Sequence, residues 1–245
     1  MWEPQLTLAD GGWHVVAPQL RGFDLSRATP QPSSESRGGG DRDPPATSLD
    51  DYAGDVIDLL DALHVGEAVI GGVSMGGYIA FAMFRHAPRY FQGMVLADTR
   101  PQADTPEGVD GRKRLIALVR SRGAAAVADE MLPKLLADET RQARPDIVDR
   151  VRELVLANST EAIAGAIAAL MTRPDSTPLL AKIHCPTLIV VGDSDVVTPP
   201  EVSRAMAGAI SGSELDVIAH AGHLSSLEQP AAFNQALARF LEHRV

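Results

Sequence analysis

Two hydrophobic periods take turns along this chain. Short apolar runs at His14-Val15-Val16-Ala17-Pro18, Ala68-Val69-Ile70, Met94-Val95-Leu96-Ala97, Thr187-Leu188-Ile189-Val190-Val191 and Leu215-Asp216-Val217-Ile218-Ala219-His220 predict strands, the first of them short and buried. Between the runs the apolar spacing turns helical. Leu49, Tyr52, Val56, Leu59, Leu60 and Leu63 share one helix face, with Ser48 and Asp51 as an N-terminal cap and Gly66 as the expected stop. A second helix is expected from Met75 towards His86, ending before Pro88. Another opens at Pro199-Pro200, and Phe233, Leu237, Phe240 and Leu241 line one face of the last. Alternating strands and helices, with strands that are almost wholly apolar, predict an α/β fold: a mostly parallel sheet covered on both faces.

The alternation breaks between Thr105 and Pro174. No run there has the look of a strand. Leu115/Ile116/Val119, Ile147/Val151/Leu154/Val155 and Ile163/Ile167/Leu170/Met171 recur at helical spacing instead. This divides the chain into an α/β core, 1–104 and 175–245, and an inserted helical stretch, 105–174. A further segment, Ala28 to Ala46, is rich in Pro, Gly, Ser and charge and reads as a long surface loop, either a tolerated insertion or a lid.

Composition narrows the function classes. The chain has 245 residues with 45% hydrophobic content, enough for a full single-domain core. Its 22 basic and 32 acidic residues leave a net charge of −10, and no Lys/Arg run stands out, which argues against nucleic acid or an anionic membrane as partner. A lone cysteine, Cys185, rules out an intrachain disulfide, reads as a small buried residue at a strand start, and suggests a reducing, cytoplasmic setting. Met1-Trp2-Glu3-Pro4 lacks a secretory pattern, and Val69 to Phe84 is too short and glycine-interrupted to span a bilayer. A soluble protein is expected.

The chemistry concentrates at Gly72-Val73-Ser74-Met75-Gly76-Gly77, between a predicted strand and a predicted helix. A serine with glycine on either side at two residues' distance matches a nucleophile elbow, in which side chains at Gly72 and Gly76 are expected to collide with backbone. The run lacks the Gly-Lys-Ser/Thr of a phosphate loop and the Gly-x-Gly-x-x-Gly of a dinucleotide loop. A nucleophilic serine needs a base and an acid to orient it. Of seven histidines, His223 alone lies on a loop just past a strand and after a glycine; His14 sits in a strand, His64, His86 and His243 near helix ends, His184 before a strand, and His220 at a strand end. Asp195, Asp193 and Asp98 all follow strands and compete for the acid, Asp195 being the first choice.

These residues resemble the α/β-hydrolase superfamily, and within it small carboxylesterases and enol-lactonases. The likeness is carried by Gly72 to Gly77, by Pro186 to Asp195, and by Ala221-Gly222-His223 with Glu228 and Pro230 behind them, and it runs nearly end to end. It implies a serine esterase without metal or cofactor: Ser74 as nucleophile, His223 as base, Asp195 as acid and the Met75 N–H as oxyanion donor. It also implies that 105–174 is a cap over a modest apolar pocket for a small-molecule ester, with Met131, Met171, Val197 and Leu224 expected to line it. Enol-lactonase and cofactor-free perhydrolase are variants of the same machinery, and a non-catalytic ligand-binding homologue is the alternative from another class. A homodimer stays open. Two positions depart from the family pattern, Gln19 for Asp and Asp24 for Gly. Family members also carry strands and a His-Gly oxyanion loop before the residues matching Trp2. Without them, the segments His14–Ala17 and Ala68–Ile70 are expected to pair directly, and a start placed too late or a rebuilt oxyanion hole are the two explanations.

Overall fold

The computed structural model describes residues 1–23 and 48–245; Asp24 and the segment 28–46 lie outside them. Four parallel strands stand side by side in chain order: β1 (Ala68–Val73), β2 (Phe91–Ala97), β3 (Thr187–Gly192) and β4 (Glu214–Ile218). β2 and β3 are buried on both faces because alternate side chains enter different cores. Met94, Leu96 and Ile189 pack with α1 (Leu49–Ala62), α2 (Met75–His86) and α8 (Pro200–Ala209), through Tyr52, Phe81, Met83 and Met206. Val95, Ala97, Leu188 and Val190 pack with α10 (Pro230–Arg244), through Phe233, Leu237 and Phe240. A 3-10 helix, Glu3–Gly11, covers α10 on this second side, and the ring of Trp2 meets Phe233 edge-on at 6.1 Å.

α1 begins where its cap chemistry says it should. Ser48 Oγ accepts from the Asp51 N–H at 3.2 Å, and the Asp51 carboxylate accepts from the Ser48 N–H at 2.9 Å. Such reciprocal capping contributes on the order of 1 kcal/mol. The helix ends without help from Gly66: His64 takes the left-handed turn, at φ 56°. β4 stops at Ile218, so His220, at φ 58°, belongs to the following turn and is not the last strand residue.

One predicted strand is missing. His14 to Ala17 forms no strand, and Val16 is 48% exposed. Consequently the expected pairing with Ala68–Ile70 does not occur, and β1 is an edge of the sheet among the described residues. An apolar run becomes a strand only where a neighbouring edge and a covering layer receive it, and this segment meets neither.

Between β2 and β3 lie α3 (Pro106–Leu135), α4 (Asp138–Ala143), α5 (Pro145–Leu156), α6 (Thr160–Met171) and α7 (Thr177–Leu180). α3 is broken at Gly123, whose φ of 77° and ψ of −179° a helix cannot contain. The two ends of the helical stretch are tied together at its base. The Arg173 guanidinium reaches Asp104 at 2.8 Å and the Gln102 carbonyl at 3.2 Å, and lies 4.4 Å above the Tyr78 ring of α2. Arg112 shares the same carboxylate. Burial pushes against the Asp104 charge, but the two guanidinium groups outweigh it and hold the carboxyl below its ordinary range. Among the described residues, no single helix is long and apolar enough to cross a membrane.

Candidate active site

β1 runs into α2 through Ser74, whose φ of 52° and ψ of −111° place it outside any regular region. The turn holds because neighbours lock it. The Ser74 N–H donates to the Ala97 carbonyl at 2.9 Å, and the Ser74 carbonyl accepts from Thr99 Oγ1 at 2.8 Å. Sterics explain two of the three glycines. A Cβ on Gly72 would sit 2.0 Å from the Gly76 carbonyl carbon, and one on Gly77 would sit 2.5 Å from Thr99 Oγ1. A Cβ on Gly76 would meet nothing within 4 Å. The expectation that Gly76 is sterically required is therefore wrong; that need falls on Gly77, because it is the helix's first turn that presses against the end of β2.

The structure brings Ser74, His223 and Asp195 together. His223 Nε2 lies 2.8 Å from Ser74 Oγ, and its Nδ1 lies 2.9 Å from Asp195 Oδ2. A carboxylate can only accept, so Nδ1 carries the proton and Nε2 presents its lone pair to the serine hydroxyl. Both partners are buried, with side chains 2% and 0% exposed, while Ser74 keeps part of its surface open. Asp195 Oδ1 accepts from the N–H groups of Val197 (2.7 Å) and Thr198 (2.9 Å), and Thr198 Oγ1 donates to Oδ2 at 2.5 Å. Burial raises the Asp195 pKa, but the bond and charge of His223 and the Thr198 bonds outweigh it, so the carboxyl stays below its ordinary range.

The other acid candidates are employed elsewhere. Asp98 is buried at φ 46° beyond β2; its carboxylate accepts from the Gly192 N–H at 3.0 Å, the Ser225 N–H at 3.1 Å and Ser225 Oγ at 2.6 Å. Burial, with Asp195 nearby, pushes its pKa up to about 7 against the opposing pull of His223, Ser225 and the Gly192 N–H. Asp193 accepts from the N–H groups of His220 (3.1 Å) and Ala221 (3.4 Å).

The loop bearing His223 is held almost entirely by carboxylates. Following Asp193 at 220 and 221, Glu228 accepts from the N–H groups of Gly222 (2.8 Å) and Leu224 (3.3 Å), and Asp98 takes that of Ser225. The exception is His223 itself, whose N–H donates to the Leu135 carbonyl at the end of α3, at 3.0 Å. Gly192 lets β3 approach this loop; a Cβ there would lie 2.1 Å from the Gly222 carbonyl oxygen.

Met75 opens α2, so its N–H has no partner in the helix ladder and adjoins Ser74. Of the residues expected to line a pocket, Met131 packs on a small cluster with Val119 and Val127, and Met171 ends α6 half-buried. Val197 gives its N–H to Asp195 and its carbonyl to Arg100, while Leu224 is buried in the α10-side core. Thr99, Thr198 and the Leu135 carbonyl escaped the sequence reading, since none has a motif of its own; only the position of Thr198, three residues past Asp195, hinted at a turn bond. Among the described residues, no group of three or more His, Cys, Asp and Glu is arranged to hold a metal ion.

A family model described as the alpha/beta hydrolase family matches residues 1–236. This chain belongs to that family. A thermophilic esterase from Thermogutta terrifontis, solved with malate bound, is similar at 36% identity and TM-score 0.87, over 98% of this chain and 84% of that one. The 3-oxoadipate enol-lactonase 2 of Acinetobacter baylyi is 27% identical over 97% of this chain and 82% of its own length. The enol-lactonase from Burkholderia xenovorans LB400 shares the fold, at TM-score 0.83 and 24% identity over 99% of this chain and 86% of that one.

Proposed function

We propose that this α/β-hydrolase is a serine esterase that cleaves small carboxylic esters through an acyl-enzyme. The observation that carries the reading is the unbroken relay of 2.8 Å from Ser74 Oγ to His223 Nε2 and 2.9 Å from His223 Nδ1 to Asp195. Ser74 Oγ attacks the ester carbonyl as its proton passes to His223 Nε2. Asp195 keeps the tautomer fixed and stabilises the imidazolium. The Met75 N–H donates to the oxyanion. Collapse of the tetrahedral intermediate expels the alcohol, which takes the proton from Nε2. Water, deprotonated by the same nitrogen, then attacks the acyl-serine, and the acid leaves as Ser74 recovers its proton. Residues 105–174 serve as the cap over this site, and Met131 and Met171 are its apolar contribution.

Ser74→Ala and His223→Ala should each lose p-nitrophenyl butyrate hydrolysis by about 10⁶-fold, because such residues act as a unit. Retention of more than about a tenth of the rate in either folded variant overturns the assignment. A second reading, hydrolysis of an enol-lactone, is favoured by the likeness to the Acinetobacter baylyi enol-lactonase. It uses the same residues; the leaving enol stays tethered to the acyl group, and deacylation releases both as one ring-opened acid.

A further inference from the structure

His223 is mounted on two different bodies. Its ring belongs to the site, yet its own backbone N–H is held by Leu135 O, at the junction where α3 gives way to α4. Both N–H groups flanking it, from Gly222 and Leu224, go to Glu228 Oε1. The other oxygen of that carboxylate, Oε2, accepts from the Ala137 N–H at 2.8 Å, from the same α3–α4 junction. Glu228 is 2% exposed and sits in α9 (Ser225–Glu228), so this is a buried side chain spanning the base loop and the helical stretch. The fit is close. A Cβ on Gly222 would come within 2.6 Å of the Ala137 nitrogen, 2.9 Å of the Leu136 carbonyl carbon and 3.2 Å of Glu228 Oε1. The junction, the carboxylate and the loop are thus in mutual contact with no spare room for a side chain.

We propose that Glu228 is a positioning residue for His223, and that through it the seating of the 105–174 helices sets the register of the base against Ser74. The proposal rests on the esterase reading for its kinetic consequence but not for its geometry. A carboxylate offers two accepting oxygens, whereas an amide offers one and turns an N–H group toward a donor. Glu228→Gln therefore has to release either the loop or the junction. The imidazole then drifts on its loop, and a displacement near 1 Å is enough to cost about 10²-fold in rate.

The test uses the full chain and two readouts. In Glu228→Gln, kcat for p-nitrophenyl butyrate should fall about 10- to 100-fold while KM changes less than about threefold, since the acyl site is untouched. In the free protein, the low-field proton resonance of the His223 Nδ1–H bonded to Asp195 should broaden or vanish. A merely structural glutamate would lower the melting temperature and leave both readouts alone. If Glu228→Gln does not fold, Ala137→Pro asks the same question with the carboxylate intact. Its φ of −56° and the extended Leu136 before it allow the proline backbone, which removes the N–H that Oε2 needs and sets a Cδ in its place, so that Glu228 has to let go of the junction. A kcat within about twofold of wild type with an unmoved resonance overturns the proposal. Should the wild type prove to have no esterase activity, the esterase reading fails, and the resonance alone still decides the role of Glu228.

Discussion

At the scale of single residues, the site turns on which carboxylate faces His223 Nδ1. Asp193, Asp195 and Asp98 all follow strands, and periodicity cannot rank them. Folding does: Asp193 and Asp98 spend their oxygens on backbone N–H groups of the base loop and of β3, while Asp195 turns one oxygen to the imidazole. Asp195→Asn should therefore lose about 10⁴-fold in kcat, because an amide can favour the wrong tautomer. Asp98→Asn should be much milder in kcat, and the reverse ranking, measured with one ester at one pH, would move the acid to Asp98. Ser74 and His223 were readable in the chain because glycine brackets one and a glycine-led loop carries the other. Thr99 was not, since its hydroxyl's partner, the Ser74 carbonyl, lies 25 residues away, and Thr198, three residues past Asp195, showed no more than the spacing of a turn.

Among the elements, those whose burial is repeated along the sequence were legible. β2 and β3 alternate between two cores, and α1 carries its own capping signal, so pattern and structure agree. The His14–Ala17 segment shows the limit: its pattern suits a strand, but pairing is a property of two segments, and no neighbour receives this one. The stretch 105–174 was legible as helices, though not the way it is fastened. Arg173 and Asp104, 4% and 11% exposed at the side chain, close its base. Arg173→Met should cost about 3 kcal/mol in denaturant unfolding, because one partner's loss strands a buried charge, with Arg112 limiting the damage. A cost within about 0.5 kcal/mol would mean the pair is no fastening at all.

For the whole molecule, the buried Asp98 makes stability depend on pH in a direction opposite to that of Asp195. The folded state keeps a proton on Asp98 up to about 7, whereas the unfolded chain releases it near 3.8. Between those values the folded form binds the extra proton, so this contribution to stability declines as pH rises and is fully lost above about 7. Asp195, held below its ordinary pKa, contributes stability that is present at neutral pH and lost as pH falls through its folded value. Asp98→Asn removes the first effect alone. The melting temperature of Asp98→Asn minus that of wild type should rise from acid pH to about 7 and then level off; a difference that is flat with pH contradicts the buried-carboxyl account.

The central claim is that Ser74 becomes acylated. Mixing enzyme with p-nitrophenyl butyrate, quenching in acid within the first turnovers and weighing the intact protein tests it directly. The account predicts a single butyryl adduct, mapped by peptide fragmentation to Ser74, that is lost in Ser74→Ala and that persists in His223→Ala once acylation of that variant has been forced with a more reactive butyryl ester. Full turnover by Ser74→Ala, or an adduct on another residue with Ser74 unmodified, would contradict it.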